Sequence, residues 1–423
     1  MKKITMEKII QLFLLSNPIL DMLTAIGSQV FHFDLTIGMI VRVLFLAFAC
    51  FYLLFLYHGT SKKKILFALG ILLLYLIAFF SVTLSTKGFS ALRIEGVNAI
   101  KTFYFPIILL TFFALFEERK KIVPKNFIPI VYGLYLLGIF LPNLLGLGFS
   151  SYDVTKEGNL GFFLTANEVG AILSILMPFF FYHLVKKKNM LLFFLAIILL
   201  LYVLFTIGTK GPLLAFGIIF LVAVIYGFCF FVKKKEYKKV ALLGSSVVGL
   251  CFFVLLLLPK TTFYENIKIH LDFLKVDHIS EIFQDEKLVD HFIFSSRLKF
   301  MKETGVRYQK ASLGEKLLGI GYSIKESDHY AEEKMVEMDY VDLFYRHGVI
   351  GFLLTMGLYL AFCISAVKQN IKEKDKRKKI TFFLSFFLSI LLAFFTGHVL
   401  LAPAVSIYVA LLLTDRNKEM MTN

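Results

Sequence analysis

About twelve runs of apolar residues, each near the ~20 that a helix needs to cross the hydrocarbon core of a bilayer, decide what this chain can become. They fall near 9–27, 36–57, 65–84, 99–116, 127–147, 161–185, 190–207, 211–232, 240–258, 348–367, 380–396 and 398–414. The last two are short enough to form one broken hairpin, which leaves eleven as the competing count. With 58% hydrophobic and only 18% charged residues, the expected fold is an all-α polytopic membrane protein.

Basic clusters separate these runs at every second gap: Lys2-Lys3, Lys62-Lys63-Lys64, Arg119-Lys120-Lys121, Lys186-Lys187-Lys188, Lys233-Lys234-Lys235 with Lys238-Lys239, and Lys372 to Lys379. Short loops rich in Lys and Arg stay on the cytoplasmic side. Twelve spans then put both termini in the cytoplasm, and residues 259–347 outside with the turn Gly208-Thr209-Lys210-Gly211. The chain divides into spans 1–9 (1–258), an extracytoplasmic helical loop (259–347), and spans 10–12 with a tail (348–423). Most of the +16 net charge sits in the inner clusters, where it suits anionic lipid head groups. No basic-aromatic module points to a nucleic-acid partner. Cys50, Cys229, Cys251 and Cys363 all lie in apolar segments, so neither a disulfide framework nor a cysteine metal site is expected. The N-terminal run lacks a small-residue cleavage site and reads as a retained span.

Polar residues at membrane depth are the first candidates for function, because lipid does not solvate them. Asn17-Pro18 and Asp21 read either as a kink or as groups facing a cavity. Arg42 reads either as a side chain snorkelling to the head groups or as an anion ligand. The same choice applies to Arg93 and Lys101 at the start of span 4. Asn167 and Glu168, below the outer surface in span 6, face the bundle as inter-helix glue or as a cavity wall. Lys210 opens span 8 between two glycines and before Pro212. A cation beside free helix N–H groups makes a phosphate seat, and a plain turn lysine is the alternative.

The largest polar island, from Arg297 to Gly351, contains the chemistry-bearing residues. Ser295-Ser296 reads as a cap for a helix carrying Arg297, with Leu298, Phe300 and Met301 among charged residues, as suits a helix over a cavity mouth. Gly319 and Gly321 mark a turn that brings backbone close to a neighbour. Acidic residues then cluster at Glu326, Asp328, Glu332, Glu333, Glu337, Asp339 and Asp342. On the helix entering span 10, Asp339, Asp342 and Arg346 share one face, and Glu337, Tyr340, Val341 and Phe344 share the other. A carboxylate above such an apolar face is suited to act as a base.

In four places the chain resembles the superfamily of O-antigen ligases and O-antigen polymerases. They are Asn167-Glu168-Val169-Gly170, Thr209-Lys210-Gly211, Ser296-Arg297 with Gly319-Ile320-Gly321-Tyr322, and Tyr340 to Gly351. Glu337-Met338 stands where many ligases carry His-Asn, and Thr209-Lys210-Gly211 where they carry Ser-Arg-Gly. The resemblance implies a GT-C-like, metal-independent and cofactor-free glycosyltransferase of the plasma membrane, similar to the Gram-positive branch. Its expected donor is an undecaprenyl-diphosphate-linked oligosaccharide and its product a polymerised surface polysaccharide such as a capsule. Ligation of finished glycan to a lipid, wall or protein acceptor is the alternative, and a transporter or flippase the alternative of another class. A flippase and a chain-length regulator are implied as partners, beside the glycan acceptor and membrane lipids. The implied roles are Glu337 as base with Asp339 in support, Lys210, Arg297, Arg93 and Lys101 for the diphosphate, and Asn167, Glu168, Tyr340 and Tyr322 for the cavity.

Overall fold

The computed structural model describes residues 6–151, 157–276, 279–326 and 329–422. Lys2, Lys3 and Asp328 therefore lie outside the described residues. Nine helices come first: α1 (Met6–Gln29), α2 (Ile37–Phe51), α3 (Lys62–Lys87), α4 (Leu92–Glu117), α5 (Phe127–Leu144), α6 (Ala166–Lys187), α7 (Met190–Ile207), α8 (Lys210–Lys233) and α9 (Tyr237–Leu257). Between α9 and the next span lie α10 (Thr262–Leu274), α11 (Ile279–Ile282), α12 (Glu286–Phe294), α13 (Arg297–Lys310) and α14 (Leu313–Leu318). A small antiparallel hairpin of β1 (Ser323–Glu326) and β2 (His329–Glu332) follows. The chain then continues as α15 (Asp339–Ile371), α16 (Lys376–Phe395), α17 (Pro403–Thr414) and α18 (Glu419–Thr422). Among the described residues, 11 helices are long and apolar enough to cross a membrane, namely α1 to α9, α15 and α16. The protein is an all-α, multi-pass membrane protein.

The run 398–414 does not become a full span. Gly397 and His398 both adopt left-handed backbone angles after Thr396, which stops α16 before the chain turns back. The returning helix α17 has 12 residues. At 1.5 Å per residue it is roughly 18 Å long, well short of the ~30 Å core. Its far end nevertheless reaches the face where the described N-terminal part lies. Gln11 donates to the Lys121 carbonyl at 2.8 Å, the Val123 N–H donates to Glu419 at 3.0 Å, and His183 meets the Met420 carbonyl at 2.8 Å. We call this the basic face and the opposite one the loop face. Since α17 ends at the basic face and is too short to span the core, residues 396–402, which precede it, are left within the outer part of the bundle as irregular backbone. Such backbone is tolerated at that depth only where protein surrounds it or water reaches it.

Helix α17 packs against α4 and α6, and these three form the centre of the molecule. Tyr104, Ile108, Phe112, Ile172, Ile175, Val405 and Tyr408 are all buried there. Helix α9 buries none of its apolar window, so it lies at the lipid-facing edge. Arg42 neither snorkels nor stands ready for an anion. It pairs with Asp21 and donates to Asn17 at 2.9 Å, and Asn17 in turn reaches the Ala404 carbonyl and the Tyr408 hydroxyl, both at 3.2 Å. These polar groups of α1 and α2 therefore hold helices together, as paired groups inside a membrane bundle do.

On the loop face, the segment after α14 is tied to the spans by a buried clamp. Lys87 and Glu95 pair at 2.8 Å. Glu95 accepts from the N–H groups of Tyr322 and Ser323, and Lys87 donates to the carbonyls of Ile320 and Ser323. The close approach implied by Gly319 and Gly321 is thus real, with Glu95 against Gly321 and the backbone of Arg346 and His347 against Gly319. Helix α15 breaks at Gly348, whose φ of 64° and ψ of −174° belong to a region only glycine visits freely. A β-carbon there would lie 2.5 Å from the Gly319 nitrogen and 2.6 Å from the Leu317 oxygen. Gly348→Ala is expected to destabilise the protein by about 3 kcal/mol, read as an early unfolding transition in detergent; an unchanged midpoint would show that the loop docks without this contact.

Candidate active site on the loop face

Helix α15 begins at Asp339, and the carboxylates of its first turn serve backbone outside the helix. Asp342, fully buried, accepts from the N–H groups of Val336 at 2.9 Å, Glu337 at 2.8 Å and Met338 at 3.3 Å. Asp339 accepts through one oxygen from Val399 at 2.9 Å and Leu400 at 2.7 Å. One turn of helix therefore holds two loops distant in sequence. Asp339 thereby fixes the 399–400 backbone. Its other carboxyl oxygen is buried without a hydrogen-bond partner.

Spacing alone places Glu337 on a helix face with Tyr340, Val341 and Phe344. In the structure it lies in the turn before the helix, at φ +64°. That conformation costs a residue with a side chain roughly 1–2 kcal/mol, and the three bonds to Asp342 offset the cost. The turn aims the Glu337 carboxylate at Arg297, 3.0 Å away, with 31% of the Glu337 side chain still accessible. Arg297 is 7% exposed. It makes weak contacts to the Thr396 and Phe294 carbonyls at 3.4 Å, and its Nε is buried without a partner. The helix that carries it is capped from another element. Ser296 makes no side-chain cap, and Asp290 of α12 accepts from the Leu298 and Lys299 N–H groups, both at 2.9 Å.

Lys210 is brought to the same side. It opens α8, donates to the Phe292 carbonyl, and its ammonium lies 3.9 Å from the Phe292 ring centroid. A β-carbon on its neighbour Gly211 would lie 3.8 Å from Thr396, the residue that Arg297 touches. Gly170 of α6 fits against Pro212 and Thr209, so the first turn of α6, which carries Asn167 and Glu168, lies beside this turn. Asn167, Glu168, Lys101, His398 and Tyr340 keep part of their surface accessible. Their neighbours Val169, Thr102, Phe103, Val399 and Leu400 are buried. These partly accessible groups, like the 396–402 backbone, lie on the loop face of the bundle.

Two expected site residues fall elsewhere. Arg93 is exposed and makes no hydrogen bond or ion pair among the described residues. Tyr322 is 1% exposed, with its hydroxyl 2.8 Å from Thr102 and 3.0 Å from His347, so it tethers the loop and does not line a cavity. Burial pushes its phenol well above the ordinary range. Arg346 is also fully structural: it pairs with Glu333 and Asp342 and donates to the Gly321 and Lys334 carbonyls. One partly accessible residue of the 396–402 segment goes unnoticed in the sequence, His398. A Gly397-His398 pair interrupting an apolar run ahead of Pro403 is the signal that would have found it. Among the described residues no group of three or more His, Cys, Asp or Glu is placed to hold a metal ion.

A buried cation with a spare donor, a carboxylate with open surface beside it and a second cation nearby suit chemistry on an anionic substrate whose reaction partner must lose a proton. A family model described as O-antigen ligase like membrane protein matches residues 3–287 and 277–416. No curated protein matches the chain.

Proposed function

Because the chain belongs to the family of O-antigen ligase-like membrane proteins, whose common activity is glycan transfer at a membrane, we propose that Glu337 and Arg297 form the centre where that transfer takes place. The donor is an oligosaccharide on undecaprenyl diphosphate, and the product is a lengthened surface polysaccharide. The reaction runs on the extracytoplasmic side of the plasma membrane, with the basic face and both termini in the cytoplasm, as the alternation of cationic loops supports.

The observation that carries this reading is the 3.0 Å pair between a buried guanidinium and a partly accessible carboxylate. A diphosphate beside this pair competes with Glu337 for Arg297, whose Nε is already a spare donor. The carboxylate so released meets the acceptor hydroxyl. The acceptor oxygen forms its bond to the anomeric carbon of the donor sugar as that carbon's bond to phosphate oxygen breaks. The lipid diphosphate leaves with the electron pair, and Glu337 takes the hydroxyl proton. Arg297, Lys210 and Lys101 offset the charge that develops on the departing oxygen, the largest contribution in transfers of this kind. A flippase supplies the donor to this side, and a chain-length regulator acts on the product.

Purified protein with a lipid-diphosphate-linked repeat unit is expected to yield carrier lipid bearing longer chains. Transfer of unlengthened glycan to a different acceptor would establish ligation in its place, and carrier moved across a vesicle with no new glycosidic bond would establish a flippase. Arg297→Ala is expected to raise the donor concentration for half-maximal rate by about tenfold or more; an unchanged donor titration would remove Arg297 from diphosphate binding.

A further inference from the structure

Helices α8 and α16 meet at their loop-face ends and part towards the basic face. At the closed end a β-carbon on Gly211 would lie 3.7 Å from Leu392 and 3.8 Å from Thr396. At the open end lies a cavity of about 710 Å³ between Ile218–Lys233 of α8 and Lys376–Phe387 of α16. A second, of about 340 Å³, joins α6 to the same wall and shares Val222, Tyr226, Ile380 and Leu384 with the first. From Lys376 to Phe387 the cleft climbs eleven residues, roughly 16 Å of helix. That is one leaflet of a ~30 Å core. The walls are apolar and aromatic, and the charged lining is confined to the mouth: Lys186 from α6, Lys233 from α8, and Lys376, Arg377 and Lys379 from α16. No acidic residue lines either cavity.

We propose that this cleft is a binding site for an anionic glycerophospholipid of the leaflet at the basic face, with its phosphate among the lysines and an acyl chain along α8 and α16. Charge complementarity chooses the occupant. A zwitterionic lipid brings its own ammonium among five cations converging from three helices, whereas basic pockets between transmembrane helices favour head groups of net negative charge. The depth chooses it again, since a wall one leaflet deep fits an acyl chain and a free phosphate would leave it empty. The lipid would brace the two helices whose other ends, at Gly211 and Thr396, flank the candidate active site. The proposal is independent of which transfer reaction occurs there.

The test is thermal unfolding of the delipidated full-length protein in mild detergent, titrated with phosphatidylglycerol, phosphatidylcholine or inorganic phosphate. Phosphatidylglycerol is expected to raise the midpoint in a saturable way, and phosphatidylcholine and phosphate are not. Replacing Lys186, Lys233 and Lys376 together by Gln is expected to weaken the phosphatidylglycerol response by about a hundredfold, as three lost cations would. Replacing Lys62, Lys63 and Lys64 by Gln removes the same charge from the same face away from the cleft and is expected to leave the response intact. Equal loss in both triple variants, or equal stabilisation by phosphatidylcholine, would overturn the proposal. If the first variant does not fold, Val222→Phe fills the shared wall without changing charge and is expected to weaken the same response; an unaltered titration would likewise overturn it.

Discussion

Glu337→Gln is expected to lower the rate of glycan transfer by about a thousandfold, the middle of the range for losing a general base, while protein level and membrane insertion stay normal. Gln keeps the size and the hydrogen-bonding oxygen of Glu but cannot take a proton. Little stability should be lost, because the Gln oxygen can still accept from Arg297 and the turn is held by Asp342 through backbone N–H groups. The measurement is product length by gel on membranes with matched protein levels, followed by single-turnover rates on purified protein. Full-length polymer from this variant would remove Glu337 from the mechanism.

The second large effect is expected at a residue that touches no substrate. Asp342→Asn leaves one acceptor oxygen where three N–H groups now bind, and its amide NH₂ would face at least one of them. It also takes the nearby negative charge from Arg346, which is 0% exposed and 4.0 Å away. Breaking a buried charged contact costs about 3 kcal/mol, and displacing the 336–338 turn by ~1 Å would by itself reduce turnover about a hundredfold. Both losses should appear together: an earlier unfolding midpoint, and faster amide exchange at Glu337 and Met338 than elsewhere in the loop. Slow turnover with a normal midpoint and protected amides would instead place Asp342 in direct contact with substrate. The contrast with Glu337→Gln separates the residue that accepts the proton from the one that holds it in place.

The spans were legible because lipid permits few solutions for backbone, and apolar length is nearly the whole signal. The exception, 398–414, is instructive. Its composition reads as a span, but the left-handed pair Gly397-His398 and the position of Pro403 make it a short central helix, and apolarity does not distinguish a lipid-facing run from one buried in protein. Gly319 and Gly321 were readable as a close approach, although nothing local named Glu95 as the neighbour, since it lies on another span. Ser295-Ser296 offered a cap, and Asp290 took the role from a preceding helix. Glu337 was readable as a base and Arg297 and Lys210 as cations for a diphosphate, but the direct pairing of Arg297 at the start of α13 with Glu337 in the turn before α15 is a long-range fact that no local pattern carries. His398 was missed because the run 398–414 read as a span and hid the Gly397-His398 break at its start, and Tyr322, an aromatic beside two glycines, has the same local pattern whether it lines a cavity or ties down a loop.

Because Asp339 and Asp342 grip backbone at 399–400 and at 336–338 from a single helical turn, the loop after α9 is not a portable module. Its working edge is shared with the α16–α17 turn some sixty residues later. A chimaera that exchanges residues 259–347 with those of a relative would inherit half of a joint whose other half stays with the host, so interchange of specificity between family members would have to carry residues 396–402 along.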